Sequence, residues 1–224
     1  MLNLETICNV SSLIPLFAPL FSFIYGLTHF FKRGKPLFLQ TITMAMGSYV
    51  LGSVYHLCQA LTNETPTDGF TPAYLGRIGF YLFILTASYG HLDRIIDDGS
   101  SPMKKSRYIS LIAPIFVSLL FIPNYIADVP LQTKISYALV WIPAVFAVYF
   151  NLKHAIIPDL DFGFIKAIKP YNRFTLCLSF CELLRLTSYN YDYIVLQAVF
   201  SVVFGILCVC TVVSAKKGAE KWTV

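Results

Sequence analysis

The stretch LCLSFCELLRLTSYNY, residues 176–191, places a glutamate and an arginine three residues apart in an otherwise apolar segment. A segment of this kind predicts a helix that crosses a membrane, because about 20 mostly apolar residues span the hydrocarbon core of a bilayer. A charge near the centre of such a helix costs at least about 2.5–3.5 kcal/mol on insertion scales. Glu182 and Arg185 therefore need partners or a function.

The composition of the whole chain places this stretch in a membrane protein. Of the 224 residues, 56% are hydrophobic and 13% are charged, whereas soluble domains contain about 45–50% apolar and about 25% charged residues. Apolar runs of spanning length occur at 12–31, 37–61, 72–94, 107–126, 134–154, 172–190 and 193–215. We therefore predict a single all-α domain, residues 1–224, that forms a polytopic membrane protein with a seven-transmembrane-helix bundle.

The distribution of basic residues predicts the orientation of this bundle. Cytoplasmic loops carry an excess of Lys and Arg, and of the 17 such residues only Lys134 lies on the opposite side from the majority. The majority comprises Lys32, Arg33, Lys35, Arg94, Lys104, Lys105, Arg107, Lys153, Lys166, Lys169, Arg173, Lys216, Lys217 and Lys221. We predict the N-terminus outside and the C-terminus in the cytoplasm, with the cell membrane as the location. The net charge of +5 reflects this asymmetry, and nucleic acid is not predicted as a partner, since its footprint is a basic stripe on a soluble domain.

The two remaining basic residues, Arg77 and Arg185, lie inside predicted spans. At 1.5 Å per residue, both lie roughly 8 Å below the outer surface, as does His56. Glu182, Arg185 and Tyr189 share one helical face because they are spaced by three and four residues. Charges within spans usually face the bundle interior, paired or wet. We therefore expect Glu182 to hold Arg185 and a polar cavity to open toward the outside.

The predicted ligand in this cavity is a small anionic or zwitterionic solute. Two guanidinium groups against one carboxylate leave a local charge of about +1, and carboxylates or phosphates accept bidentate bonds from arginine. The predicted ligand-binding residues are His56, Arg77, Tyr81, Glu182, Arg185, Tyr189 and Gln197. The alternative is a purely structural ion pair that fixes helix register. No catalytic residue, metal site or cofactor is predicted.

Charged residues also occur at the predicted cytoplasmic ends of two spans. Asp93 and Arg94 are adjacent where the third span ends, and His154 ends the fifth. Charges at a helix end are usually solvated, so we interpret Asp93 and Arg94 as a solvated pair and His154 as an ordinary residue of the membrane interface.

The segment GSYVLGSVYHLCQAL, residues 47–61, resembles the second helix of the membrane hydrolase superfamily that includes alkaline ceramidases and progestin/adiponectin-type receptors. The resemblance rests on Ser48, Ser53, Tyr55 and His56. That family places serine four residues before the histidine and two histidines on its seventh helix. Here Gly52 occupies the first position, and residues 193–215 contain no histidine. An intramembrane lipid-modifying enzyme is one of three function classes that we keep open. It rests on the presence of His56, Glu182, tyrosines and cysteines, which could support acid–base chemistry on a lipid.

A pattern shared by the first and fifth spans suggests an internal repeat. Tyr25 and Tyr149 each stand six residues after a proline, Pro19 and Pro143. The first three and last three spans also begin on the same side, as parallel repeats require. This 3+1+3 layout resembles that of sugar-efflux and vitamin-uptake carriers. A carrier is therefore the first function hypothesis, and a receptor or sensor acting through a cytoplasmic or membrane protein partner is the second.

Overall fold

A computed structural model describes residues 4–62, 70–93, 97, 99, 101–157, 163–191 and 193–221. Within these ranges every regular element is helical. The helices are α1 Leu4–Phe30, α2 Leu37–Leu61, α3 Pro72–Leu85, α4 Ser101–Ser110, α5 Ile112–Ile126, α6 Leu131–Ile156, α7 Gly163–Asn190 and α8 Ile194–Glu220. A π-helical segment, Thr86–Asp93, continues α3. Arg94 lies outside the described residues.

Five helical segments in the described part of the chain are long and apolar enough to cross a membrane. They are Leu13–Phe30, Leu37–Gln59, Met103–Ile126, Leu131–Ile156 and Ile194–Glu220, the third of which combines α4 and α5. The chain is thus an all-helical protein suited to a membrane, while seven crossings and their orientation stay predictions. The two predicted spans without such a segment are those that contain Arg77 and the pair Glu182–Arg185.

Several helices extend beyond the predicted spans. The sixth span is predicted from residue 172, whereas α7 begins at Gly163, and the first from residue 12, whereas α1 begins at Leu4. The added turns of α7 include Lys166 and Lys169. A helix continues wherever its backbone can hydrogen-bond, in lipid or in water, so an apolar run marks only the part of a helix that suits lipid.

Six helices form a closed ring in the order α1, α2, α3, α6, α7 and α8, each packed against the next. Helix α5 packs against α6 and α7, and most of the α4–α5 span faces outward. Large buried aromatic residues, among them Tyr49, Phe80, Tyr81 and Phe204, fill the interior. The first three and last three predicted spans thus occupy contiguous parts of the ring, and a repeat relationship between them stays a prediction.

Helices α2 and α3 cross at two glycines with their backbones in contact. A Cβ atom placed on Gly76 would lie 2.6 Å from the Cα atom of Gly52 and 2.7 Å from the carbonyl oxygen of Ser48. The Ser48 hydroxyl donates a hydrogen bond of 3.2 Å to the carbonyl of Gly76. Small residues permit such close approach of membrane helices. The crossing brings His56, one turn beyond Gly52, close to Arg77.

The predicted orientation can be tested with reporters fused to the chain. A green fluorescent protein after Val224 should fluoresce, because it would fold in the cytoplasm, and alkaline phosphatase at the same place should be inactive. Fusions after Asp128, between α5 and α6, should give the reverse pattern. An active phosphatase after Val224 together with a fluorescent fusion after Asp128 would reverse the orientation.

Candidate functional site

The candidate site is built around Glu182, whose side chain is completely buried in α7. Arg185, one turn further along α7, donates from Nε to Oε2 at 2.8 Å and from Nη2 to Oε1 at 2.9 Å. Arg77 of α3 donates from Nε to Oε1 at 3.1 Å. One carboxylate therefore holds two guanidinium groups from two helices, and we refer to these three residues as the triad.

Tyr49 of α2 also contacts the triad. Its hydroxyl accepts a hydrogen bond of 2.9 Å from Nη2 of Arg185, and its ring packs against Phe80 and Phe204. Tyr49 was not among the predicted site residues. Its position seven residues before His56, two turns along the same helical face, is a signal that could have identified it.

A cavity of about 150 Å³ adjoins the triad. Its wall includes the guanidinium-bearing side chains of Arg77 and Arg185, which are 18% and 17% exposed, whereas Glu182 is 0% exposed. We call this space the arginine cavity. Its lining residues are Ser11, His56, Tyr74, Arg77, Tyr137, Arg185, Leu186, Tyr189, Gln197 and Ser201. A second cavity of about 160 Å³ is also lined by His56, Arg77 and Arg185. Both arginines therefore line both cavities.

Five of the seven predicted site residues line the arginine cavity, namely His56, Arg77, Arg185, Tyr189 and Gln197. Glu182 and Tyr81 are not part of its lining and are completely buried. The hydroxyl of Tyr81 donates to the backbone carbonyl of Ser179 at 3.2 Å. These two residues therefore lie behind the cavity wall. Glu182 holds the two arginines, and Tyr81 binds the backbone of α7. Ligand binding by any of the seven stays a prediction.

Two tyrosines absent from the predicted set, Tyr74 and Tyr137, also line the cavity. The guanidinium of Arg77 lies 5.8 Å from the ring centre of Tyr74, within the range of a cation–π contact. Tyr74 precedes Arg77 by three residues, so helical spacing could have pointed to it. Tyr137 belongs to α6, and it reaches the cavity wall only because α6 packs beside the helices that carry the arginines.

A hydrogen-bonded chain of side chains fixes α5, α6 and α7 near the same end of the bundle. Tyr137 donates to Oδ1 of Asn190 at 2.5 Å, and Asn190 donates to Oδ1 of Asn124 at 2.6 Å. Asn124 in turn donates to the hydroxyl of Thr187 at 2.9 Å. This chain holds the Tyr137 wall of the arginine cavity in place.

A second charged cluster lies at the opposite end of the bundle. Lys153, only 3% exposed, contacts carboxylate oxygens of Asp93 and Asp97, each at 2.5 Å. Nε2 of His154 lies 3.0 Å from the carboxylate of Asp93. The hydrogen bonds from Arg107, together with the one from Lys153, hold the pKa of the Asp97 carboxyl well below its usual range, despite its partial burial.

This cluster differs from the sequence-based interpretation of its members. His154 is 1% exposed and is enclosed by protein, and Asp93 pairs with Lys153 and His154. Asp93 lies 60 and 61 residues before its partners Lys153 and His154. Spacing along one helix therefore does not indicate the pairing. The predicted Asp93–Arg94 pair cannot be compared, since Arg94 lies outside the described residues.

The described part of the chain holds no group of three or more His, Cys, Asp or Glu side chains arranged to bind a metal ion. Comparison of the chain with models of protein families, with curated proteins and with solved structures gives no match. The geometry of the triad and its cavity therefore carries the functional argument.

Proposed function

We propose that this chain is a membrane carrier whose arginine cavity binds a small anionic or zwitterionic solute through Arg77 and Arg185. The observation that carries the proposal is the sharing of one buried carboxylate by two guanidinium groups that both face a cavity. Two guanidinium groups and one carboxylate give the triad a net charge of about +1. This excess attracts an anion into the cavity, and the attraction is strong where the surroundings have a low dielectric constant.

The unused donor atoms of the arginines support the same ligand class. Among the described residues, Arg77 forms hydrogen bonds through Nε alone, so both of its terminal nitrogens can serve a ligand. Arg185 uses Nε and Nη2, which leaves Nη1. A planar guanidinium fork matches the oxygens of a carboxylate or sulfate. The hydroxyl of Tyr189, which also lines the cavity, can contact the remainder of the solute, whereas the hydroxyl of Tyr137 already donates to Asn190.

A polar stripe along α7 favours a carrier over a receptor. Asn172, Thr175, Ser179 and Glu182, spaced by three and four residues, are all completely buried. Helical residues at this spacing lie on one face, so polar residues occupy the interior of the bundle from the triad toward the opposite end. Asn172, Thr175 and Ser179 each donate to a backbone carbonyl one turn earlier in α7. A pathway for a polar solute needs such a lining, whereas a receptor can bind its ligand in an apolar bundle.

A receptor remains the second candidate because the charged cluster at the far end joins α6 to the π-helical segment of α3 through Lys153 and Asp93. A change of helix position in the arginine cavity could alter this contact. Transport assays separate the two candidates. Uptake of labelled lactate, glutamate or sulfate into liposomes containing the purified protein supports a carrier, and saturable binding without uptake supports a receptor.

Arg77→Ala should weaken binding of the best-bound anion among lactate, glutamate and sulfate by at least about tenfold, since hydrogen bonds to charged groups contribute about 1.5–3 kcal/mol each. Binding is measured calorimetrically on protein in lipid nanodiscs, with choline as the cationic comparison. Lys134→Ala is the matched control. It also removes one positive charge, but Lys134 lies against the ring of Tyr125 and does not line the arginine cavity.

Equal affinities for wild type and Arg77→Ala would refute the role of Arg77 as a ligand-binding residue. Absence of binding for all three anions to folded wild-type protein would refute the proposed function as a whole. Tighter binding of choline than of the anions would reverse the predicted ligand charge.

A further inference from the structure

The burial of Glu182 makes its charge dependent on the two arginines. The carboxylate is completely buried and accepts hydrogen bonds from Arg77 and Arg185, at 2.8–3.1 Å. A buried carboxylate stays ionised only where opposite charges and hydrogen bonds compensate for its loss of water. A change in the hydrogen bonds or the position of either guanidinium group therefore changes how readily the carboxylate of Glu182 stays ionised.

A bound anion would use the same guanidinium groups from the cavity side. Arg77 contacts Glu182 through Nε, on one edge of its guanidinium, and its side chain also lines the cavity. The solute and Glu182 would then lie one guanidinium apart, as two negative groups sharing two positive ones. Each guanidinium would then divide its hydrogen bonds and charge between two anionic groups, so the compensation that keeps Glu182 ionised would weaken and protonation of its carboxylate would be favoured.

We infer that the carrier binds its anion together with one proton, and that the carboxylate of Glu182 accepts this proton. The inference rests on the proposed function. The proton comes from the solution in contact with the cavity and converts the carboxylate to the neutral acid, while the arginines keep their charge and pair with the solute. Charge is balanced, because the triad gains one positive charge with the proton and one negative charge with a monovalent anion.

The other titratable groups near Glu182 leave two candidates for the proton at neutral pH. The groups that face it are Tyr49, Arg77, Tyr81, Arg185 and the thiols of Cys181 and Cys208. Phenols, thiols and guanidiniums all keep their protons below pH 8, because their ordinary pKa values are about 10, about 8.5 and above about 12. His56, which lines the cavity beside both arginines, is the competing acceptor and must be tested separately.

Binding of the anion and binding of the proton must strengthen each other equally, because linkage between two ligands is reciprocal. With uptake of one proton, the dissociation constant of the anion should rise by up to about tenfold per pH unit as the pH increases. If the site takes up no proton, the dissociation constant of the anion does not change with pH. The slope of the logarithm of the dissociation constant against pH therefore gives the number of protons taken up per bound anion.

The experiment measures binding of lactate, glutamate and sulfate to the full chain in nanodiscs between pH 5.5 and 8. None of the three changes its own charge appreciably in this range. Calorimetry at each pH in two buffers with different ionisation enthalpies gives the number of protons taken up. We expect close to one proton per bound anion for the wild type and for His56→Gln, and none for Glu182→Gln.

The outcomes separate this inference from the proposed function. Anion binding with no proton uptake and no pH dependence overturns the inference and leaves the proposed function intact. Proton uptake that disappears in His56→Gln overturns the assignment to Glu182. If Glu182→Gln does not fold, full proton uptake by His56→Gln supports Glu182, because His56 is the only competing acceptor among the described groups. Failure of the folded wild type to bind any of the three anions overturns both.

Discussion

Replacement of Glu182 by alanine is expected to lower the free energy of unfolding by about 3–5 kcal/mol, since removal of one member of a buried ion pair leaves its partners uncompensated. Here both Arg77 and Arg185 lose their shared partner. Their side chains are only 18% and 17% exposed, so water can replace the carboxylate only in part. The measurement is denaturant-induced unfolding of the protein in mixed micelles.

Glu220→Ala is the matched control for this substitution. Glu220 is a 54% exposed carboxylate at the end of α8, 4.0 Å from Lys216. Exposed ion pairs contribute about 0–1 kcal/mol, so this control should change stability little. A loss below about 1 kcal/mol for Glu182→Ala would mean that the arginines find other partners or water, and the triad would not be a buried ion pair in the membrane.

A combined variant separates the structural from the functional role of the triad. Replacing a whole buried ion pair by apolar residues of similar size is often neutral or stabilising. Arg77→Met, Glu182→Leu and Arg185→Met together should therefore be more stable than Glu182→Ala alone and should bind no anion. Wild-type anion binding by this variant would leave the triad with a structural role only.

Gly76→Val is expected to lower the free energy of unfolding by about 3 kcal/mol, the upper end of the range for overpacking. A Cβ atom at this position would meet backbone atoms of Gly52 and Ser48 at 2.6–2.7 Å. Backbone atoms cannot rotate away as a flexible side chain can, so α2 and α3 must separate. Arg77 follows Gly76 directly, so the variant should also weaken anion binding.

The control for this prediction is Gly90→Ala in the π-helical segment. Its added Cβ would meet only the Cγ2 atom of Thr86, at 3.7 Å, which is an ordinary contact distance. Thermal unfolding in the same detergent compares the two variants. A Gly76→Val protein as stable as Gly90→Ala would show that α2 and α3 are not in backbone contact.

Helical class and most of the membrane character follow from the sequence because both depend on local composition. An apolar run of spanning length must satisfy its backbone hydrogen bonds internally, and the helix does so without distant partners. Helix ends were less predictable. The start of α7 at Gly163 lies in a basic segment that an apolar criterion excludes, although its backbone is helical.

The candidate site was predictable where spacing along one helix carries the information. Arg185 lies three residues after Glu182, and their pairing follows from the helical period. Depth along each helix also brought Arg77 and His56 to one level. The rotation of each helix about its axis could not be predicted in this way, and this rotation puts Tyr81 behind the cavity and Tyr74 in its wall.

By itself the sequence determined an all-helical, membrane-suited chain and a charged pair within one of its helices, because composition and helical spacing are local properties. Tertiary structure alone decided that Arg77 shares Glu182, that Tyr49 supports Arg185, and that Lys153 joins Asp93 and Asp97 at the opposite end. These contacts join residues separated by many turns of helix. They depend on which helices are neighbours and which faces meet, and the close approach at Gly52 and Gly76 sets that geometry for α2 and α3.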